Sequence, residues 1–572
     1  MTIDKIRDHK DHYEAGVEFE ENGCLAEAVD EYRQALALDP SDMRVYPGLG
    51  YALSEQGQYE EAAAVCQAGL NIEPRNAELL AGLASILIDL DRSSEAVAVY
   101  EEAIAIDRNN GYLYKGLGDA LKELERNEEA VTAYREGIRL GCDWEALWNN
   151  LGIVLNRLGR YEEAISAYRE AIRVDASYPN AHYNLGELHM STDQYDEAVS
   201  EFRAACILDP DDSSNCVCLG DALVSLSRYR EAIAAYREGI RRRRDDGYAH
   251  FALAAALQDS GQSDEATGEF KEAVRLSPDD PEYHWALAEN LGDLQQFDGA
   301  IEEYREAIRL KPDYSYAHSD LAVALCKTGN VEEALAEFRE AIRLDPTDPV
   351  AYVNYGHALA DESDTDGAAE AYREAIRRDP AHAPAYIGLG NVLADLDRSE
   401  DAIRAYSEAI RLNSDDDAGH YNYARVLEKS GQIKQAAEEY KEAVRLCPDE
   451  PEYHWAAGEI FRKLGRYDSA ITEYHEAIRL KPDYSYAHSD LGRALYEQGK
   501  VDEAIAEYRE AIRLDSSDAL AFAYLGDALG KVSDFDGAME AYREAIRLDP
   551  EDSEIQAALE KVIREHRNWP DA

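Results

Sequence analysis

The chain has 572 residues, 59 basic and 117 acidic, for a net charge of −58. That balance excludes a basic face for nucleic-acid phosphates and argues against binding to anionic membrane surfaces. No apolar run approaches the length of a membrane span, and the opening MTIDKIRDHKDHYE lacks the apolar centre of a signal peptide, so a cytoplasmic location is the default expectation.

Residues 1–8 read as a short polar lead. From residue 9 a 34-residue pattern runs in phase to residue 552, giving sixteen units without an insertion. Position 8 of each unit is Gly or Ala, from Gly16 to Gly526, and position 20 is Ala throughout, from Ala28 to Ala538. Units 1–3 (9–110) contain the terminal Pro40 and Pro74, with Arg108 at the corresponding place in the third; units 4–6 (111–212) carry Trp148 and a set of Asn residues. Helix starts in later units are marked by Pro behind an acidic residue, at Asp280-Pro281, Asp348-Pro349 and Glu450-Pro451. Unit 485–518 shows the construction most plainly. Ala487, Leu491, Gly492, Ala494 and Leu495 share one helical face, Gly499 breaks the pattern, and Val501, Ala504, Ile505, Tyr508, Ala511 and Ile512 form a second stripe. The small residues let the two helices approach while Leu491, Leu495 and Tyr508 fill the space between them. After residue 552 one more helix follows, with Ile555, Leu559, Val562 and Ile563 inward and Glu560 where another unit would need a small residue. Residues 553–567 are therefore expected to cap the stack, and 568–572 to form a tail.

This spacing of Leu, Gly, Ala, aromatic, Ala and Pro resembles the tetratricopeptide repeat (TPR) family. The resemblance implies an all-α fold: an α-solenoid, a right-handed superhelix of sixteen helix-turn-helix repeats plus the C-terminal capping helix, with the first helices lining an inner groove. It also implies a non-enzymatic scaffold holding a protein or peptide partner. Two groove chemistries of such proteins fit poorly. The carboxylate clamp of chaperone-binding members finds Lys115 and Asn150, but Asp119 and Asn184 stand where Asn and Arg are needed. The asparagine ladder of O-linked N-acetylglucosamine transferase finds Asn150, Asn184, Asn354 and Asn422, interrupted by Gly48, Ala252, Asp320 and Asp490.

No catalytic, cofactor or metal site is expected. Eight histidines, His12, His182, His250, His284, His318, His420, His454 and His488, occupy position 4, where Tyr46, Trp148 and Tyr352 stand in other units. That is a packing position, and repeats spaced roughly 10 Å apart place neighbouring histidines beyond the reach of one metal ion. Asp364 to Gly367 and Asp534 to Gly537 begin like calcium loops but lack the third acid and the closing Glu. The eight cysteines show no CxxC spacing: Cys24, Cys66, Cys206 and Cys447 sit singly, and Cys216 and Cys218 face apart on a helix, so all are expected to be reduced.

What remains is surface. Tyr248, Tyr316 and Tyr486 at position 2, with Phe251, Trp285, Tyr421 and Trp455 at position 5, are the expected protein-binding residues, because aromatics bring large area with few rotatable bonds. Packing on neighbouring repeats is the alternative. AIRLKPDYSYAHSDL at 307–321 recurs at 477–491, so 213–382 is read as duplicated in 383–552. The competing structural reading is a rod that assembles with itself into a filament or tube. Its candidate contact is Arg241, Arg242, Arg243 and Arg244, a dense basic run in an acidic chain.

Overall fold

The computed structural model describes residues 8–568; most of the polar lead (1–7) and of the tail (569–572) lies outside them. The described residues form 33 α-helices and no strand, two helices to each of the sixteen units and one after them. Asp8, assigned to the lead from sequence, instead caps the first helix: its carboxylate accepts from the Lys10 and Asp11 N–H groups at 2.9 and 3.0 Å. The Asp11 carboxylate in turn accepts from the Asp8 N–H at 3.1 Å.

The periodic small residues explain the hairpins. Ala at position 20 is fully buried in every unit, from Ala28 through Ala504 to Ala538. A β-carbon on Gly492 would lie 2.6 Å from the Tyr508 ring, and one on Gly220 would lie 2.3 Å from Tyr236, so glycine opens the slot that the ring of the same unit fills. That ring, at position 24, is aromatic and buried in every unit but the second, where Cys66 takes its place.

Between the two helices of each unit, position 15 turns through the left-handed region. Gly499 does so at φ 93°, closed by Lys500 N–H donating to the Leu495 carbonyl at 2.8 Å. Half of these turns have no glycine: Asp91, Glu125, Asp193, Ser227, Gln295, Ser363, Asp397 and Ser533 adopt the same conformation. Asp364 and Asp534, read as incomplete calcium loops, act as N-caps, each accepting from the N–H of Gly367 or Gly537 at 3.0 Å.

The chain divides into two compact units, Met1–Tyr283 and His284–Ala572. Within each, successive helices pack in order. First helices of adjacent repeats also touch, as Val45–Glu55 does Ala77–Asp89 in one unit and Pro349–Asp361 does Ala383–Asp395 in the other. Second helices meet chiefly the helices before and after them, so the first helices line the inner side of each unit. The last helix, Ser553–Asn568, packs on the helices before it through buried Ile555 and Val562.

One cysteine expectation is corrected. Cys206, near the end of Tyr195–Leu208, and Cys216, at the start of Ser214–Ser225, form a disulfide with their Cα atoms 5.2 Å apart. Helical spacing misses this pair because the connecting turn folds one helix end back beside the next helix start. Cys24, Cys66, Cys142, Cys218, Cys326 and Cys447 are free.

Candidate functional site: the inner face of the first helices

The aromatic residues divide by position. Tyr248, Tyr316 and Tyr486 are 49%, 57% and 59% exposed. The position-5 rings are half-buried against neighbours. Phe251 stacks on Tyr283 at 4.8 Å between centroids, and Tyr421 stacks on Tyr453 at 4.9 Å, the same arrangement one block later. The Trp285 indole N–H donates to Asp320 at 2.8 Å, and that of Trp455 donates to Asp490 at 2.9 Å. Burial raises the pKa of both aspartates, while the indole bond opposes the shift. Each Trp thus ties its repeat to the following one, a partnership with no periodic signal in the sequence.

Tyr421 and Trp455 come together in one cleft of about 830 Å³, floored by Tyr440 and walled by the first helices Asp417–Lys429, Pro451–Lys463 and Ser485–Gln498. Tyr316 and Tyr486 stand outside it. Charged side chains that the aromatic pattern did not single out also line it: Arg425, Lys429, Lys463 and Arg493 alternate with Glu428, Glu452, Glu459 and Asp490. Lys463 pairs with Glu428 at 2.6 Å, and Arg462 with Glu459 at 2.9 Å. Burial acts to raise the Glu459 pKa, but the Arg462 guanidinium and its neighbours outweigh it and hold the carboxyl below its ordinary value.

Family models described as tetratricopeptide repeat match residues 219–281, 285–349, 355–417, 388–451 and 455–519, and others match 17–140, 154–193, 179–212 and 522–552. The chain belongs to the TPR family. Members of this family mediate protein–protein interaction, on a scaffold that is typically non-enzymatic. Among curated proteins none matches the chain in sequence. Similar solved structures include YrrB, titled a TPR protein with an unusual peptide-binding site, 24% identical over 34% of this chain and 99% of its own, with a TM-score of 0.31. The MamA protein is 23% identical over 30% of this chain and 93% of its own, with a TM-score of 0.28. The APC/C hetero-tetramer Cut9-Hcn1 is 16% identical over 93% of this chain and 98% of its own, with a TM-score of 0.34.

Within this TPR chain the groove polar residues serve as ties between repeats. Asn150 donates to Asp119 at 2.9 Å, Asn184 to Asn149 at 2.9 Å, and Asn422 to Asn391 at 3.4 Å. Lys115 is paired with Asp119 at 2.7 Å. The position-4 histidines all bond to a glutamate nineteen residues on, from His12 with Glu31 at 2.6 Å to His488 with Glu507 at 2.7 Å. In His182, His250, His318, His420 and His454 the other ring nitrogen lies 3.0–3.4 Å from a carbonyl of the preceding loop. In His182 the glutamate bond, and in His318, His420 and His454 the glutamate and carbonyl bonds together against burial, raise the pKa above its ordinary value.

The basic run is largely engaged within its own chain. Arg241 pairs with Glu238 at 2.6 Å, and Arg243 pairs with Asp246. The Arg242 side chain, only 12% exposed, bonds to Glu238 and donates to the carbonyls of Cys206, Asp209 and Asp212 at 3.0–3.4 Å. It thereby clasps the turn that carries the disulfide. Arg244 offers its carbonyl to His250 at 3.3 Å.

No helix among the described residues is long and apolar enough to cross a membrane, and no group of three or more His, Cys, Asp or Glu among them could hold a metal ion.

Proposed function

We propose that the chain is a non-enzymatic TPR scaffold that holds protein partners on the inner face of its first helices. The exposed position-2 tyrosines carry this reading. The fold already fills its aromatic slot with the buried position-24 rings, so Tyr316 and Tyr486 leave large apolar area exposed, as Tyr248 does while its hydroxyl also donates to Asp221 of the preceding repeat at 3.3 Å. The like pairs Trp285 with Tyr316 and Trp455 with Tyr486 would serve a repetitive partner or two copies of one. Residues 553–567 act as the cap of the stack. Self-assembly through Arg241–Arg244 has less support, because three of those side chains already have partners within the chain.

The test selects binding peptides from a displayed library on the full chain and measures their affinity by calorimetry. Tyr316→Ala and Tyr486→Ala, both at exposed sites, are expected to weaken binding singly and far more together. Affinities indifferent to Tyr248→Ala, Tyr316→Ala and Tyr486→Ala would overturn the inner-face assignment.

A further inference from the structure

The two related blocks differ most informatively in where their cations lie. Blocks 213–382 and 383–552 contain 18 and 20 Lys plus Arg residues, so overall basicity barely changes. On the first helices, however, the earlier block has one cation, Lys327, and the later block has six. At the positions of Arg425, Lys429, Arg462, Lys463 and Arg493 the earlier block has Ala255, Asp259, Gly292, Asp293 and Val323. The aromatic frame around them is retained: both blocks keep the Trp-to-Asp bond and the stacked position-5 ring. Between the two blocks, then, the frame is the same while the first helices go from one cation against seven carboxylates to six cations against eight, a net charge of −2 in place of −6.

Resting on the reading of the inner face as a partner-binding surface, we propose that the cleft on the first helices of units 13, 14 and 15 binds an extended acidic segment of a partner protein. The cleft of about 830 Å³ adjoins one of about 380 Å³ on one side and one of about 210 Å³ on the other. Arg425 and Lys429 line both the first and the second, and Arg493 lines both the first and the third. A cationic side chain therefore stands at each junction of a channel that crosses five first helices, from Asn391 to Asp527. That length suits an extended chain better than a small molecule.

The carboxylates inside the cleft already have donors. Glu428 takes Lys463, Glu459 takes Arg462, Asp490 takes Trp455 and Arg493, and Glu452 takes the Tyr421 hydroxyl. Arg425 is different. It is exposed, has no carboxylate at ion-pair distance among the described residues, and lies 5.8 Å from the Tyr421 ring centroid. A guanidinium offers a planar fork that a ligand carboxylate matches with two bonds. Lys429 is held only by the exposed Asp397, a pairing weak enough for a competing carboxylate to displace. A nucleic acid would meet the repulsion of a chain at −58, which a short acidic segment feels far less.

The test uses the full chain and three fluorescein-labelled twelve-residue peptides that share their apolar residues and carry Glu, Gln or Lys at the remaining positions, read by fluorescence anisotropy. The Glu peptide is expected to bind, less tightly as salt rises, and the other two to bind at least about tenfold more weakly. Arg425→Gln, at an exposed site and checked by circular dichroism, should weaken the Glu peptide about tenfold, while Ala255→Gln in the earlier block leaves it unchanged. Equal binding of the Gln or Lys peptide would overturn the acidic preference and leave the scaffold reading standing. Equal losses from Arg425→Gln and Ala255→Gln would overturn the assignment to this cleft. Failure of all three peptides to bind would overturn this proposal and count against the scaffold reading. If the parent chain self-associates in sedimentation and Arg425→Gln abolishes it, the occupant is a second copy of the chain and the partner-segment proposal falls.

Discussion

Replacing Tyr508 by Ala tests how the repeats share their stability. The ring is 1% exposed, with a carbon only 2.6 Å from where a Gly492 β-carbon would sit. Loss of such a side chain costs about 3–5 kcal/mol, the transfer energy plus the cavity left behind. Gly492→Ala alone pushes against the ring and costs about 1–3 kcal/mol. The lower end is expected, because Ala424 faces Tyr440 at the matching place without disrupting its repeat. In the double variant the added methyl enters the space the ring has left, so the combined loss should be at least about 1 kcal/mol smaller than the sum. Hydrogen exchange read by mass spectrometry is the assay. Amides over 485–552 should lose roughly 10²- to 10⁴-fold in protection, while those over 77–212, in the other compact unit, keep theirs. Equal loss along the whole chain would show all-or-none unfolding and refute nearest-neighbour stacking. Strict additivity of the two substitutions would refute the packing argument at Gly492.

The histidine pairs impose a pH dependence. In His182 and His488 the glutamate bond raises the pKa above the ordinary 6.5, and in His318, His420 and His454 the glutamate and carbonyl bonds outweigh a larger lowering by burial. A folded pKa above the unfolded one contributes stability that is complete below 6.5 and is lost as pH rises through the folded value. Melting of the parent should therefore fall as pH rises from about 6 to 9, and less so in a His318→Gln/His454→Gln variant; an identical slope in both would refute the role of these pairs. Thiol titration of the denatured, unreduced chain should find six reactive cysteines, and eight only after reduction; eight without reductant would remove the Cys206–Cys216 link. Arg242→Gln should destabilise the end of Tyr195–Leu208 and the following helix by about 1–3 kcal/mol, because buried donors to three carbonyls are lost, while Arg244→Gln costs within about 0.5 kcal/mol. Equal exchange rates in the two variants would contradict this.

The helical architecture is legible in the sequence because it is written in period. Alanine recurring every 34 residues from Ala28 to Ala538, with a Gly or Ala facing an aromatic, specifies a close helix crossing whatever the neighbours do. The tight turns were half legible: Gly499 marks one, but Asp91 and Ser533 take the same left-handed backbone because the flanking helices force it. Relationships between repeats were not legible, since they join residues some thirty positions apart whose partners carry no local signature. Trp285 with Asp320, Asn150 with Asp119, and Arg242 with the carbonyl of Cys206 arise only when one hairpin is laid on another. The same holds for the disulfide, which needs the turn between Cys206 and Cys216 to fold back. The candidate site was divided in the same way. The family resemblance assigned these aromatic residues to the inner face, but only burial sorted them into stacked Phe251 and Tyr421 and exposed Tyr316 and Tyr486. The charged cleft at Arg425 was visible as letters and meaningless as chemistry until three first helices converged, because charge acts through distance in space and not along the chain.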